Sequence, residues 1–273
     1  MIITNKSIEE YKKALISAEK STATAEQYAR QIGAMAEYLC GELTRDSLIS
    51  YKEHLQMKYA PASVNAAIAA INSFLEHCGM SDMKLKTVKV QKQTYADSGR
   101  ELDRAEYKAM LSAAENKPRL YMILKTLAAT GIRISELKFI TVEAIKRKTA
   151  EIDCKGKHRT VILAETLCHA LKKYAKKLKI TTGSIFITKG GKPIDRSNLA
   201  KELKKLAELA RVAKQKVFPH NFRHLFARTF YSAYKDIVRL ADILGHSSID
   251  TTRIYTRESG EIHRKQIEAL GMV

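Results

Sequence analysis

Four times within the first 80 residues, apolar side chains recur at the spacing of one helix face, and each run is bounded by a residue that starts or stops a helix. Ser7-x-x-Glu10 has the form of a capping box and predicts a helix over 7–19. Ser21 to Thr24 open a second helix, with Tyr28, Ile32, Met35 and Leu39 on one side. Thr44 opens a third, carrying Leu48, Tyr51 and Leu55. Pro61, suited to a first helical turn, opens a fourth that runs through Val64, Ile68, Ile71, Phe74 and Leu75 and stops at Gly79. Each helix has one apolar face to bury, so the four must pack on one another. The expected first domain is a helical bundle over residues 1–82.

Residues 83–100 break that period. They carry Lys84, Lys86, Lys89 and Lys92 with no acid between positions 83 and 96, and read as a basic interdomain linker able to follow a polyanion. Beyond it, Asp103-x-x-Glu106 starts a helix, and another runs from about 118 to Gly131. Alternating TAEID (149–153), a turn containing KGKHR and TVIL (160–163) predict a hairpin. A lysine-rich helix over 165–178, a short strand GSIFIT (183–188), a helix over 195–211 and a helix after Pro219 follow. The fold class is mainly α with a small β-sheet, an N-terminal bundle followed by an α+β domain over 101–273.

Charge separates the two parts. Residues 1–80 hold 8 Lys+Arg against 9 Asp+Glu, and the rest of the chain holds 40 against 20, so the formal charge of +19 is −1 from the first part and +20 from the second. A field of one sign and this size attracts polyanions, and duplex DNA is the expected partner. No apolar run reaches a membrane span and MIITNKS does not read as a signal peptide, which predicts a cytoplasmic, nucleoid-associated protein with no membrane contact. Cys40, Cys78, Cys154 and Cys168 form no C-x-x-C pair and read as reduced packing residues. No P-loop or acidic metal cluster is present, and no metal or other cofactor is expected.

The candidate chemistry lies in four stretches. HNFRH (220–224) places His220 and Arg223 three apart, on one helix face, opposite an apolar face of Phe222, Leu225, Phe226 and Phe230. LGHSSIDTTRIYT (244–256) supplies His246 and Tyr255, ATGIRISEL (129–137) supplies Arg133 and Glu136, and CKGKHRTVIL (154–163) supplies Lys155, with Lys157 and Arg159 in the same turn. Attack on a phosphodiester loads charge onto the non-bridging oxygens, which two guanidiniums can clamp while staying charged. An ordinary phenol is only about one part in a thousand ionised at neutral pH, so a nucleophilic tyrosine needs cations and a proton acceptor beside it.

In order and spacing these residues resemble the Arg–Lys–His–Arg–His–Tyr constellation of the tyrosine recombinase (phage integrase) family. The resemblance covers about 170 C-terminal residues by motif, and the N-terminal bundle by helical pattern alone, T-x-x-Q-Y at 24–28 and S-V-N-A-A-I at 63–68 looking like its usual helices. It implies a site-specific recombinase or integrase that cleaves duplex DNA through a 3′-phosphotyrosine. Arg133 and Arg223 would clamp the phosphate, Tyr255 attack, His220 accept its proton, Lys155 protonate the departing 5′-oxygen, His246 hydrogen-bond the phosphate and Glu136 support Arg133. Lys157, Arg159 and the linker lysines would contact DNA. The resemblance further implies a monomer or weak self-association when free, and a homotetramer on two DNA sites held by a C-terminal exchange helix at about 259–270. A type IB topoisomerase shares this chemistry, and a DNA-binding regulator without catalysis is the alternative of a different class.

Overall fold

The computed structural model describes residues 2–40, 43–89, 98–154, 157–188, 190–246, 248–255 and 268–271, apart from the side chains of 98, 154 and 157. The chain divides into two compact units, 1–92 and 93–273.

The first unit is built from α1 (Asn5–Ser17), α2 (Thr22–Leu39), α3 (Arg45–Lys58) and α4 (Pro61–His77). The faces read from the sequence are the ones turned to the core: Ile32 and Met35 of α2, Leu48, Tyr51 and Leu55 of α3, and Val64, Ile68, Ile71, Phe74 and Leu75 of α4 are buried, while Tyr28 and Leu39 of α2 are half-buried against them. The bounds of α1 differ, Asn5–Ser17 in place of 7–19. Thr4, not Ser7, is the N-cap: its hydroxyl accepts from the Ser7 amide and Ser7 Oγ accepts from the Thr4 amide, so the helix begins at Asn5.

The stretch expected to be a linker from residue 83 belongs in part to this unit. Leu85 is buried and Val88 packs on the same core. The Asn72 side-chain amide pairs with both the N–H and the C=O of Leu85, and that of Asn65 does the same for Val88. Seven residues of helix and three of extended chain both span about 10 Å, so two asparagines two turns apart on α4 hold one antiparallel strap. Lys84 lies in that strap and pairs with Glu76 at 3.1 Å, while Lys86 and Lys89 are exposed. Lys92 lies outside the described residues.

The second unit opens with Asp103 and Glu106 exchanging the expected capping-box bonds at the head of α5 (Arg104–Ala113). Then follow α6 (Pro118–Thr130), a 3-10 helix (Ile134–Phe139), α7 (Val142–Arg147), the antiparallel hairpin β1 (Thr149–Cys154) and β2 (Lys157–Ile162), α8 (Glu165–Lys177), α9 (Arg196–Leu209), α10 (Pro219–Tyr234), α11 (Ile237–Leu244) and the short α12 (Ile249–Thr252). Strand pairing extends from Thr149↔Ile162 to Cys154↔Lys157, so Lys157 and Arg159 stand in β2 and not in the turn.

The strand expected over 183–188 is absent among the described residues. Ser184 and Ile187 make only isolated bridges, to Thr141 and Pro193. The neighbours Ile185 and Phe186 are both buried, where a half-buried strand would alternate, and the Ile185 amide bonds the Ile140 carbonyl. The cysteines also divide: Cys168 is buried and Cys78 half-buried, but Cys40 is exposed and so is not a packing residue. No described helix is long and apolar enough to cross a membrane.

Candidate active site

Two glycines give the site its frame. Gly131 ends α6 at φ +63°, and a Cβ there would lie 2.5 Å from Phe226 Cδ1, so α10 comes too close for any side chain. Gly245 ends α11 at φ +66°, and a Cβ there would lie 2.3 Å from Arg159 Cδ. The two helix ends thereby aim their last carbonyls at α10.

Arg223 receives them. Its Nη1 donates to Gly131 O at 2.8 Å and its Nη2 to Leu244 O at 2.7 Å. It is 1% exposed, which departs from the expectation that it would share an open helix face with His220. Three residues apart means shared azimuth on α10, but the carbonyl-rich ends of α6 and α11 cover the Arg223 position. Burial and the nearby Arg133 lower its pKa to about 10, so it stays charged at neutral pH, while Tyr255 opposes the shift as a hydrogen-bond and charge partner. Among its nitrogens only Nε is buried without a partner.

His246 lies 2.8 Å from Arg223 Nη2 through Nε2, and 2.8 Å from Thr252 Oγ1 through Nδ1. A guanidinium only donates, so Nε2 is the acceptor and the proton rides on Nδ1, donated to Thr252. Burial first, then Arg223, Arg133 and Arg159, depress its pKa to about 4, in keeping with a neutral ring. His220 is shifted down by burial and by Arg223, Arg133 and Arg196.

Tyr255 is 3% exposed and packs with Ala227, Leu240 and Leu244. The His224 ring meets its edge at 4.7 Å and the His246 ring stacks at 5.9 Å between centroids. His224, which sequence reasoning passed over, stands between Tyr255 and His220, whose ring is 4.8 Å from it. Burial, His220 and two arginines push its pKa down to about 4.

Arg133 leads the 3-10 helix. Its backbone N–H donates to Glu136 Oε2 at 2.7 Å and its Nη1 to Oε1 at 3.0 Å. Glu136 is 2% exposed, and Arg159 Nη2 donates to the same Oε2 at 2.6 Å. One buried carboxylate thus holds two arginines, one of which, Arg133, leaves 45% of its side chain exposed. Arg159 was expected at the DNA surface. It is only 13% exposed because strand alternation puts it on the inward face with Val161 and Leu163.

A cleft of about 110 Å³ opens among Arg133, Ile134, Ser135, Arg196, Pro219, His220 and Arg223. Arg196, on the first turn of α9, is a third guanidinium that the sequence reading missed. Tyr255 is not among the residues lining the cleft. Lys155 lies outside the described residues, as does most of the tail at 259–270. Among the described residues no cluster of three or more His, Cys, Asp or Glu could hold a metal.

These histidines make the second unit acid-sensitive. With the pKa of His224 and His246 depressed to about 4 in the fold, the unfolded chain takes up protons first as pH falls. Their contribution to stability is present above about pH 6.5 and drains away toward pH 4. Melting followed from pH 7.5 to 4.5 should fall through this window, and should fall less in His246→Gln.

The sequence model of the Phage integrase family matches residues 100–261. Over 278 residues the chain is 26% identical to the tyrosine recombinase XerA of Pyrococcus horikoshii, covering 100% of this chain and 96% of that protein. It is 30% identical over 279 residues to the tyrosine recombinase XerD of Brucella suis, covering 89% of each. Among solved structures it is similar to XerH bound to its difH substrate before cleavage (17% identity, 100% of this chain, 85% of that one, TM-score 0.73). It is likewise similar to a lambda integrase dimer bound to a core site (16%, 94% and 96%, TM-score 0.75). The chain belongs to the phage integrase family, the tyrosine recombinases. It is an enzyme of DNA cleavage and strand transfer.

Proposed function

We propose that this enzyme recombines two duplex DNA sites as a homotetramer, a monomer or weakly associated when free, and that Tyr255 forms a 3′-phosphotyrosine with a scissile phosphate held in the adjoining cleft. The observation that carries the assignment of the cleft is the convergence of Arg133, Arg196, His220 and the buried Arg223 on a space of about 110 Å³. Arg133 and the free Nε–H of Arg223 hydrogen-bond the non-bridging oxygens, where charge grows in the transition state. His220, kept neutral by burial and by its cationic neighbours, accepts the phenolic proton. His246 holds Arg223 through Nε2, so it reaches the phosphate only by releasing that bond. The phosphotyrosine keeps the energy of the broken ester, and rejoining to another 5′-hydroxyl needs neither ATP nor metal.

Lys155 serves as the acid for the leaving 5′-oxygen. Lys155→Ala should slow cleavage about 10²-fold or more, yet recover on a duplex whose leaving atom is sulfur, because a thiolate departs without a proton. Failure to recover would leave Lys155 as a phosphate ligand only. Lys86, Lys89, Lys92 and Lys157 supply non-specific backbone contacts, and Lys84, paired with Glu76, contributes less. The segment 259–270 docks on the neighbouring subunit, a reading supported by Leu270, 70% exposed where the chain is again described. DNA bound by the relatives supports the duplex substrate: one solved lambda integrase is a tetramer on a Holliday junction.

The test is a reaction with two duplexes that share a cognate site captured from the genome. Crossed products in EDTA without ATP are expected. Relaxation of any supercoiled plasmid without crossed products would instead indicate a topoisomerase.

A further inference from the structure

We infer that Arg159 is a positioning residue of strand cleavage, clamping together the hairpin, the Arg133–Glu136 pair and the His246 turn, and that it does not bind DNA. This rests on the strand-transfer reading above. Four observations meet on it. Its Nη2 bonds Glu136 Oε2 at 2.6 Å, and its Nη1 bonds the carbonyl of Ile243 at 2.9 Å, near the end of α11. Its side chain is 13% exposed. Its register partner in β1 is the buried Ile152, so its Cα is fixed by the sheet and its side chain enters the interior. Its aliphatic stem occupies the place where any side chain at Gly245 would have to go.

The consequence is a mechanical link between three sources of the site. Glu136 holds both the amide and the guanidinium of Arg133, so whatever holds Glu136 sets where Arg133 points. Ile243 and Gly245 lie just before His246, so the second arm and the stem set the height of the turn that delivers His246 to Arg223. Lys155 follows β1 directly, and Arg159 fastens the opposite strand of that hairpin. The planar fork suits this work: two terminal nitrogens serve two acceptors on different elements at once, which an ammonium on a flexible stem cannot do with the same geometry.

Two readouts separate this role from phosphate binding and from bulk stability. Arg159→Ala should lower the single-turnover cleavage rate on saturating suicide duplex by about 10²-fold, the scale of misplaced reacting groups. Its log affinity against log salt should keep the wild-type slope, whereas loss of a phosphate contact would reduce the slope by about 0.9. Arg159→Lys, able to pair with Glu136 but not to span to Ile243 as well, should fall between the two in rate. Gly245→Ala should lower the melting temperature less in the Arg159→Ala background than alone, because the atom it would strike is gone and only the φ of +66° is left to strain it.

A reduced salt slope with a normal rate at saturation would overturn the proposal, as would strictly additive melting shifts for positions 159 and 245. An arginine held only for stability would lower melting in Arg159→Lys with no loss of rate at a permissive temperature, and that outcome also overturns it. Absence of any covalent adduct in the wild-type protein would be a failure of the strand-transfer reading instead, and the salt slope and the 159/245 cycle would still report on Arg159.

Discussion

Tyr255→Phe should bind duplex DNA with wild-type affinity and form no covalent complex. The ring is a packing element as well as the carrier of the nucleophile: it fills a small core with Ala227, Leu240 and Leu244, edged by His224 and stacked on His246. Phenylalanine keeps all of that. Only the hydroxyl is lost, and with it one partner of the Arg223 guanidinium. The melting temperature should therefore move little, a change of about 1 kcal/mol or less. Cleavage is another matter, because removing the atom that attacks leaves no partial mechanism. Gel shift and a denaturing gel of the same samples check both halves. A persistent adduct in the mutant would mean that another of the 12 tyrosines is the nucleophile.

Arg223→Ala should cost both activity and stability. Three acceptors converge on this one guanidinium: the carbonyls ending α6 and α11 and Nε2 of His246. Truncation orphans all three inside the protein, and a buried acceptor left unmade costs about 1–3 kcal/mol. Relief of a desolvated charge offsets part of that, so a net loss of about 2 kcal/mol or more is expected in denaturant melts. The cleavage rate should fall about 10³-fold or more, since a preorganised donor to the developing charge disappears and His246 loses its partner. Arg223→Lys keeps the charge but cannot serve two carbonyls and a histidine together. It should recover part of the stability and little of the rate. Near-normal cleavage in the lysine variant would show that charge alone matters here.

The elements that carry the chemistry were legible where local signals are strong. Pro219 at a first turn and Gly131 after a last one place α10 and α6 without tertiary information, whereas α11, which Gly245 ends, went unread. The bundle was legible for the same reason, the apolar faces read on α2, α3 and α4 being the ones turned to its core. What escaped depends on distant parts of the chain. Nothing local to HNFRH says that Arg223 is buried, because the groups that bury it are carbonyls some 90 and 20 residues away in sequence. Lysine-rich 84–89 looked solvated, yet two asparagines on α4 supply the hydrogen bonds that make it part of the bundle. Arg196 could not be singled out among the chain's 48 basic residues. Arg159 could have been: alternation along TVIL places it on the same face as Val161, and an arginine on an inward face demands a buried acid such as Glu136.

The central claim is that a tyrosine in this site attacks a DNA phosphate, and a nicked suicide duplex tests it most directly. The short strand lost beyond the nick cannot religate, so the intermediate accumulates. Protease and nuclease digestion followed by mass spectrometry should find the peptide containing Tyr255 joined to the 3′-phosphate of the cleaved strand, in EDTA as well as without it. An adduct on any other residue, attachment at the 5′ end, or cleavage with no protein bound to the product would contradict the account.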